Sequence, residues 1–87
     1  MLRIETSVGE DLVTFALIGR LQSDNLAELK RLLEMGNAKK IVLDLREVRL
    51  VDREAITFLM NFEKHDATIT NCPPYIREWI RREHSEQ

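Results

Sequence analysis

The sequence predicts a single α/β domain built on a mixed sheet, and three observations carry that prediction. Apolar and polar residues alternate through the first two segments. The run Ile41-Val42-Leu43-Asp44-Leu45 is nearly continuous and opens on β-branched residues, the composition of a parallel strand. Three other stretches repeat apolar residues at helical spacing, each behind a cap former or a proline.

Taken in order, Leu2, Ile4 and Thr6 alternate with Arg3 and Glu5, and Ser7 to Asp11 form a polar, glycine-containing connection. Leu12 to Ile18 resume with Val13, Phe15 and Leu17 on one face and apolar or small residues on the other, so a hairpin is expected with its second strand deeper in the sheet. Gly19-Arg20-Leu21-Gln22 breaks the alternation, and Ser23-Asp24-Asn25 supplies three cap formers ahead of Leu26, Leu29, Leu32 and Leu33. A helix follows, with Gly36 or Asn37 as its left-handed stop.

Residues 41–45 are then expected as a central strand covered on both faces, followed by a short connection through Val48, Leu50 and Val51. Asp52 caps a second helix, Val51 packs on Ile56 as a hydrophobic staple, and Ala55, Ile56, Leu59, Met60 and Phe62 form the apolar face. That helix ends near Lys64-His65, cations suited to its negative end. Ala67 to Thr70 reads as a short edge strand. Pro73-Pro74 opens a terminal helix with Tyr75, Ile76, Trp79 and Ile80 as its buried stripe, and residues 83–87 are expected to fray. The order is strand, strand, helix, strand, helix, strand, helix, in one domain whose core spans about residues 2–82.

Composition narrows function. At 87 residues the chain has room for one thin core, burying about 60–65% of its unfolded surface. Thirteen Lys and Arg against 15 Asp and Glu give a formal charge of −2, dispersed in mixed-sign runs such as Glu28-Leu29-Lys30-Arg31, so no nucleic-acid partner is expected. One Cys excludes an internal disulfide and a paired-thiolate metal site and favours a reducing compartment. The N-terminus lacks the basic and apolar regions of a secretory signal, and no stretch approaches the ~20 apolar residues that span a bilayer. A cytoplasmic protein with no membrane insertion is the expectation.

Few residues offer chemistry. Gly9, Gly19 and Gly36 are isolated, so no phosphate-cradling loop is present, and neither a cofactor nor a metal is expected. His65 and His84 fall at a helix end and in the tail, poor places from which to fix a general base. Cys72 is either a small packed residue or a thiol activated by a helix N-terminus. Asp44 and Asp52 lie at the C-terminal side of the third strand, the edge where α/β sheets place their sites, and read as a strand-end residue and a helix cap. Arg46, Arg49 and Arg53 run through the same edge, interleaved with Glu47, Asp52 and Glu54. They form either a self-neutralised solvated rim or a surface that recognises an acidic partner.

Ile18-Gly19-Arg20-Leu21, the capped helix with Leu26 and Leu29, Ile41-Val42-Leu43-Asp44-Leu45 and Leu50-Val51-Asp52 together resemble the STAS domain, named for sulfate transporters and anti-sigma factor antagonists. The resemblance runs from about Leu12 to Ile80 and implies a STAS-like mixed sheet with three helices. In that family the apolar strand is followed by Asp-Ser-Ser/Thr-Gly, whose second hydroxyl residue is phosphorylated by a partner kinase that doubles as an anti-sigma factor; the dephosphorylated protein binds that partner. Here Asp52 is followed by Arg53-Glu54-Ala55, so no hydroxyl is available. Glu54 takes the acceptor position with a fixed single charge, a partial mimic of the roughly −1.5 to −2 of phosphoserine, or else a good first-turn residue and nothing more.

The resemblance implies a non-enzymatic anti-sigma factor antagonist that binds a protein through Arg46, Arg49, Asp52, Arg53 and Glu54 and is not switched by serine phosphorylation. The partner it implies is an anti-sigma factor of the kinase-like type, a phosphatase-like protein or a transporter ATPase subunit. The alternatives are a small STAS adaptor or subunit of a transporter ATPase or signalling complex, and a homodimeric structural module paired through an edge strand or the Tyr75, Trp79 stripe.

Overall fold

The computed structural model describes residues 2–35, 40–64 and 67–85. Strands β1 (Leu2–Val8) and β2 (Val13–Leu21) form the antiparallel hairpin that the alternation predicts. Helix α1 (Ser23–Met35), strand β3 (Ile41–Val51), helix α2 (Arg53–Lys64), strand β4 (Thr68–Thr70) and helix α3 (Pro74–Ser85) follow. The sheet order is β1-β2-β3-β4, with β2, β3 and β4 parallel. Each parallel step is made through a helix, the connection that parallel strands require.

One core holds the molecule together. Phe15, Leu17 and Leu21 of β2 and Leu43, Leu45, Val48 and Val51 of β3 meet Leu29 of α1, Ile56 and Leu59 of α2, and Ile76 of α3. Val51 and Ile56 are both buried in it, as the predicted staple requires. The opposite sheet face carries Thr14, Ala16, Ile18 and Val42, none of them in that core. β3 is therefore covered on one face and only half-buried on the other, where its sequence predicted cover on both. An alanine, a threonine and two half-buried aliphatics leave that face little apolar area to bury.

Several boundaries differ from the sequence expectation: β1 runs on through Ser7 and Val8, β2 runs on through Gly19 to Leu21, and β4 starts at Thr68. β3 does not stop at Leu45 but continues to Val51, because its register against β2 shifts between Ala16 and Ile18 and again between Gly19 and Arg20. Each shift places an extra residue in β3, which puts Leu45, Val48 and Val51 at three-residue spacing on the same inner face. Gly19 makes the upper shift possible with φ 106°, a conformation that a side chain would strain. Leu12 belongs to the hairpin turn and is exposed, because Gly9 N–H donates to Leu12 O at 2.8 Å and closes the turn there.

Helix α3 runs on through Ser85, past the predicted fraying at residue 83, since Glu83 accepts from Trp79 Nε1 at 3.3 Å and the Ser85 hydroxyl donates to the Arg81 carbonyl. Its buried stripe is Ile76 and Ile80; Trp79 is half-buried and Tyr75 is 47% exposed, so the stripe is narrower than the sequence suggested. The predicted helix stop at Gly36 or Asn37, the helix end at His65 and the last two residues of the tail lie outside the described residues.

Candidate functional site

β2 and β3 end level with each other, Leu21 opposite Val51, so the helices that follow them start side by side. Asp52 joins the two starts. Its Oδ1 accepts from the Ala55 amide at 2.9 Å, the N-cap bond of α2, and its Oδ2 accepts from the Ser23 amide at 2.8 Å, the first amide of α1. A single carboxylate thus caps its own helix and a second one that begins 29 residues earlier.

The local sequence explains why α1 needs this help. The residue before α1 is Gln22, whose carbonyl accepts from Asn25 N–H at 2.9 Å, while Asn25 Oδ1 accepts from Gln22 N–H at 3.2 Å. Asn25 therefore reaches back to the chain entering the helix, and Ser23 is the first helical residue instead of the cap predicted for it. The Asp52 carboxylate titrates below its ordinary range. Burial opposes this by raising its pKa, but the amides of Ser23 and Ala55 and the Ser23 hydroxyl together lower it.

Around this anchor stand exposed charges. Arg53 and Glu54 open α2, and Arg53 Nε reaches Glu83 Oε1 of α3 at 3.5 Å. Glu54 sits on the rim of an open groove between α1 and α2, of about 740 Å³, floored by Leu26, Leu33 and Phe58. Lys30 lies 5.9 Å from the Phe58 ring centroid, and Phe58 stacks on Phe62 at 6.1 Å. The Thr57 hydroxyl, the nearest to Glu54 in sequence, donates to the Arg53 carbonyl within its own helix.

The structure brings Asp52, Arg53 and Glu54 together at one edge and places Arg46 and Arg49 elsewhere on β3. Both are exposed strand residues beside the two register shifts, not loop residues around a helix start. Arg46 N–H donates to Asp44 Oδ1 at 3.0 Å, and the same oxygen accepts from Asn71 Nδ2 at 3.2 Å. Asp44 thus ties the lower shift of β3 to Asn71, which holds the left-handed turn (φ 52°) before α3, and it reads as structural.

Cys72 does not have the activated thiol that a helix N-terminus would give. Burial pushes its pKa up, and the attraction of Arg77 offsets this only in part. Its position explains why: the Pro73 carbonyl accepts from Ile76 and Arg77, so the cap is Pro73 and Cys72 stands outside the helix. Among the described residues no group of three or more His, Cys, Asp or Glu side chains is placed to hold a metal. The groove is the feature that sequence reasoning missed. Phe58 and Phe62, four residues apart on α2, were its signal, a second apolar stripe beside the buried one.

A mixed four-stranded sheet, a leading hairpin and three helices, with an acidic cap where the middle helix meets the strand end, define a STAS-like α/β fold. Among solved structures the chain is similar to that of SpoIIAA, an anti-sigma factor antagonist in its unphosphorylated form. The TM-score is 0.67 and the identity 14%, and the match covers 93% of this chain and 82% of that one. At that identity the likeness is one of fold. No protein-family model matches the sequence, and no curated protein matches it. No helix among the described residues is long and apolar enough to cross a membrane.

Proposed function

We propose that this chain is a non-enzymatic protein-binding module acting as an anti-sigma factor antagonist does, with its docking edge at the joined starts of α1 and α2. Arg53 and Glu54 are the contact residues, and Arg49 and Arg46 extend the surface along β3. The observation that carries the reading is the Asp52 bridge. It holds two helix starts in a fixed relation and leaves Arg53 and Glu54 exposed beside them, on a fold similar to that of an anti-sigma factor antagonist. Both oxygens of Asp52 are engaged, so its part is to position the edge rather than to touch a partner. With Glu54 in place of a hydroxyl this edge has no phosphorylation cycle, and Glu54 serves as a constitutive contact carboxylate rather than as a mimic of the phosphorylated, non-binding state.

Titration calorimetry against a kinase-like anti-sigma factor from the same genome tests this. Binding is expected, Glu54→Lys should weaken it at least about tenfold by reversing a charge in the contact, and incubation with ATP should add no phosphate at residues 52–55. Unchanged affinity in the Glu54→Lys protein removes the edge from the interface. Phosphate elsewhere on the chain, accompanied by loss of binding, overturns the constitutive reading.

A further inference from the structure

We propose that β1 is a self-association edge: two copies of the chain pair their β1 strands antiparallel about a two-fold axis at Ile4 and so join two sheets into one. This surface is independent of the helix edge. β1 and β4 are the outer strands, and β4 has three residues against seven in β1. Edge strands in proteins are commonly blunted by proline, by charged side chains, lysine above all, or by a bulge. β1 contains neither Pro nor Lys, its two charged residues, Arg3 and Glu5, are of opposite sign, and its register with β2 runs without a shift from Leu2↔Gly19 to Val8↔Val13.

The backbone and the charges select the same register. Gly9 N–H donates to Leu12 O at 2.8 Å across the hairpin, and hydrogen-bonded pairs alternate along an antiparallel ladder. Arg3, Glu5 and Ser7 therefore direct their backbone groups to β2, and Leu2, Ile4 and Thr6 direct theirs outward. A two-fold axis at Ile4 sets Ile4 against Ile4 of the second copy, and Leu2 against Thr6 of the second copy, as hydrogen-bonded pairs. It sets Arg3 against Glu5 of the second copy, and Glu5 against the second copy's Arg3. These are non-hydrogen-bonded pairs, whose side chains approach most closely. Moving the axis by one residue opposes Arg3 to Arg3, or Glu5 to Glu5. In one chain the two side chains pair with each other at 3.0 Å while 74% and 54% exposed, so both are free to exchange partners. Leu2 and Ile4, partly buried against the core, gain cover on their open side.

One strand pairing covers less than the ~800 Å² per partner of a standard interface, so a weak dimer is expected. Sedimentation velocity from about 10 μM to about 1 mM should show the mass approach that of two chains. Arg3→Glu and Glu5→Arg should each weaken association at least about tenfold. An equimolar mixture of those two variants should associate again, since each then presents the charge that the other lacks. Thr6→Pro removes an outward N–H at an exposed position and should abolish the dimer, with circular dichroism melting verifying that the variant folds. A wild-type chain that stays monomeric at about 1 mM overturns the proposal. So does association that survives Thr6→Pro in folded protein, or a mixture of the two charge variants that fails to associate.

Discussion

Replacing Asp52 by Ala removes acceptors from two helix starts at once. A single N-cap side chain contributes about 0.5–2 kcal/mol. Asp52 accepts from Ala55 at 2.9 Å and from Ser23 at 2.8 Å, and its charge faces the positive ends of both helices. A loss of about 2–3 kcal/mol is therefore expected, a shift of about 10–20 °C in Tm for a domain of this size. Asp52→Asn keeps one carbonyl acceptor but loses the charge and one of the two bonds, and should cost about half as much. Ser23→Pro isolates the α1 branch, because proline is accommodated at the first helical position while the substitution removes the Ser23 amide and hydroxyl that reach Asp52 and leaves the Ala55 bond in place; about 1 kcal/mol is expected. Urea denaturation of the two single variants and the double variant gives the test. If Asp52 serves both helices, the losses from Ser23→Pro and Asp52→Ala combine to less than their sum, since the bond they share is lost only once. A loss below about 0.5 kcal/mol for Asp52→Ala, or strict additivity, refutes the bridge.

The same carboxylate predicts a pH dependence. Its folded pKa lies below the ordinary 3.8. Its contribution is thus complete above that value and is lost as pH falls through the lowered one, so the stability gap between wild type and Asp52→Asn should hold at neutral pH and close in acid; a gap independent of pH would contradict the assignment. Gly19→Ala places a side chain at φ 106° and should destabilise the fold by about 1–3 kcal/mol without changing the urea m-value. An unmoved midpoint would show that the strand does not need that conformation. Cys72, with its thiol pKa raised by burial, should react with iodoacetamide at neutral pH about tenfold more slowly than a free thiol. Reaction at the free-thiol rate would mean that the side chain is not packed as described.

The order of elements, the hairpin, the internal position of β3 and the short β4 edge were legible because each rests on local periodicity. The upper half of β3 was not. Leu45, Val48 and Val51 recur every third residue, which fits neither the two-residue period of a regular strand nor a helix; only the paired strand reveals that each step contains an extra residue. Asp52 was legible as the cap of α2, since that bond spans three residues. Its bond to Ser23 spans 29 and leaves no mark in the local sequence. The three cap formers at Ser23-Asp24-Asn25 drew attention to the right place but to the wrong donor and acceptor. The groove and the exposure of Tyr75 depend on how α1, α2 and α3 lie against one another, which the stripes alone do not determine.

The extra residues of β3 and the double cap of Asp52 are parts of one arrangement. β3 has 11 residues beside the nine of β2, and the difference of two is taken up by the two register shifts. Both strands consequently end level, Leu21 opposite Val51, and the next residue on each chain, Gln22 and Asp52, stands at the mouth of a helix. Had β3 run without the shifts, the same 11 residues would carry Asp52 beyond the end of β2, at about 3.3 Å per residue, out of reach of the Ser23 amide. The irregular half of the strand, which weakens its own ladder, is what sets the two helix starts side by side. Arg53 and Glu54 owe their fixed position on that edge to it.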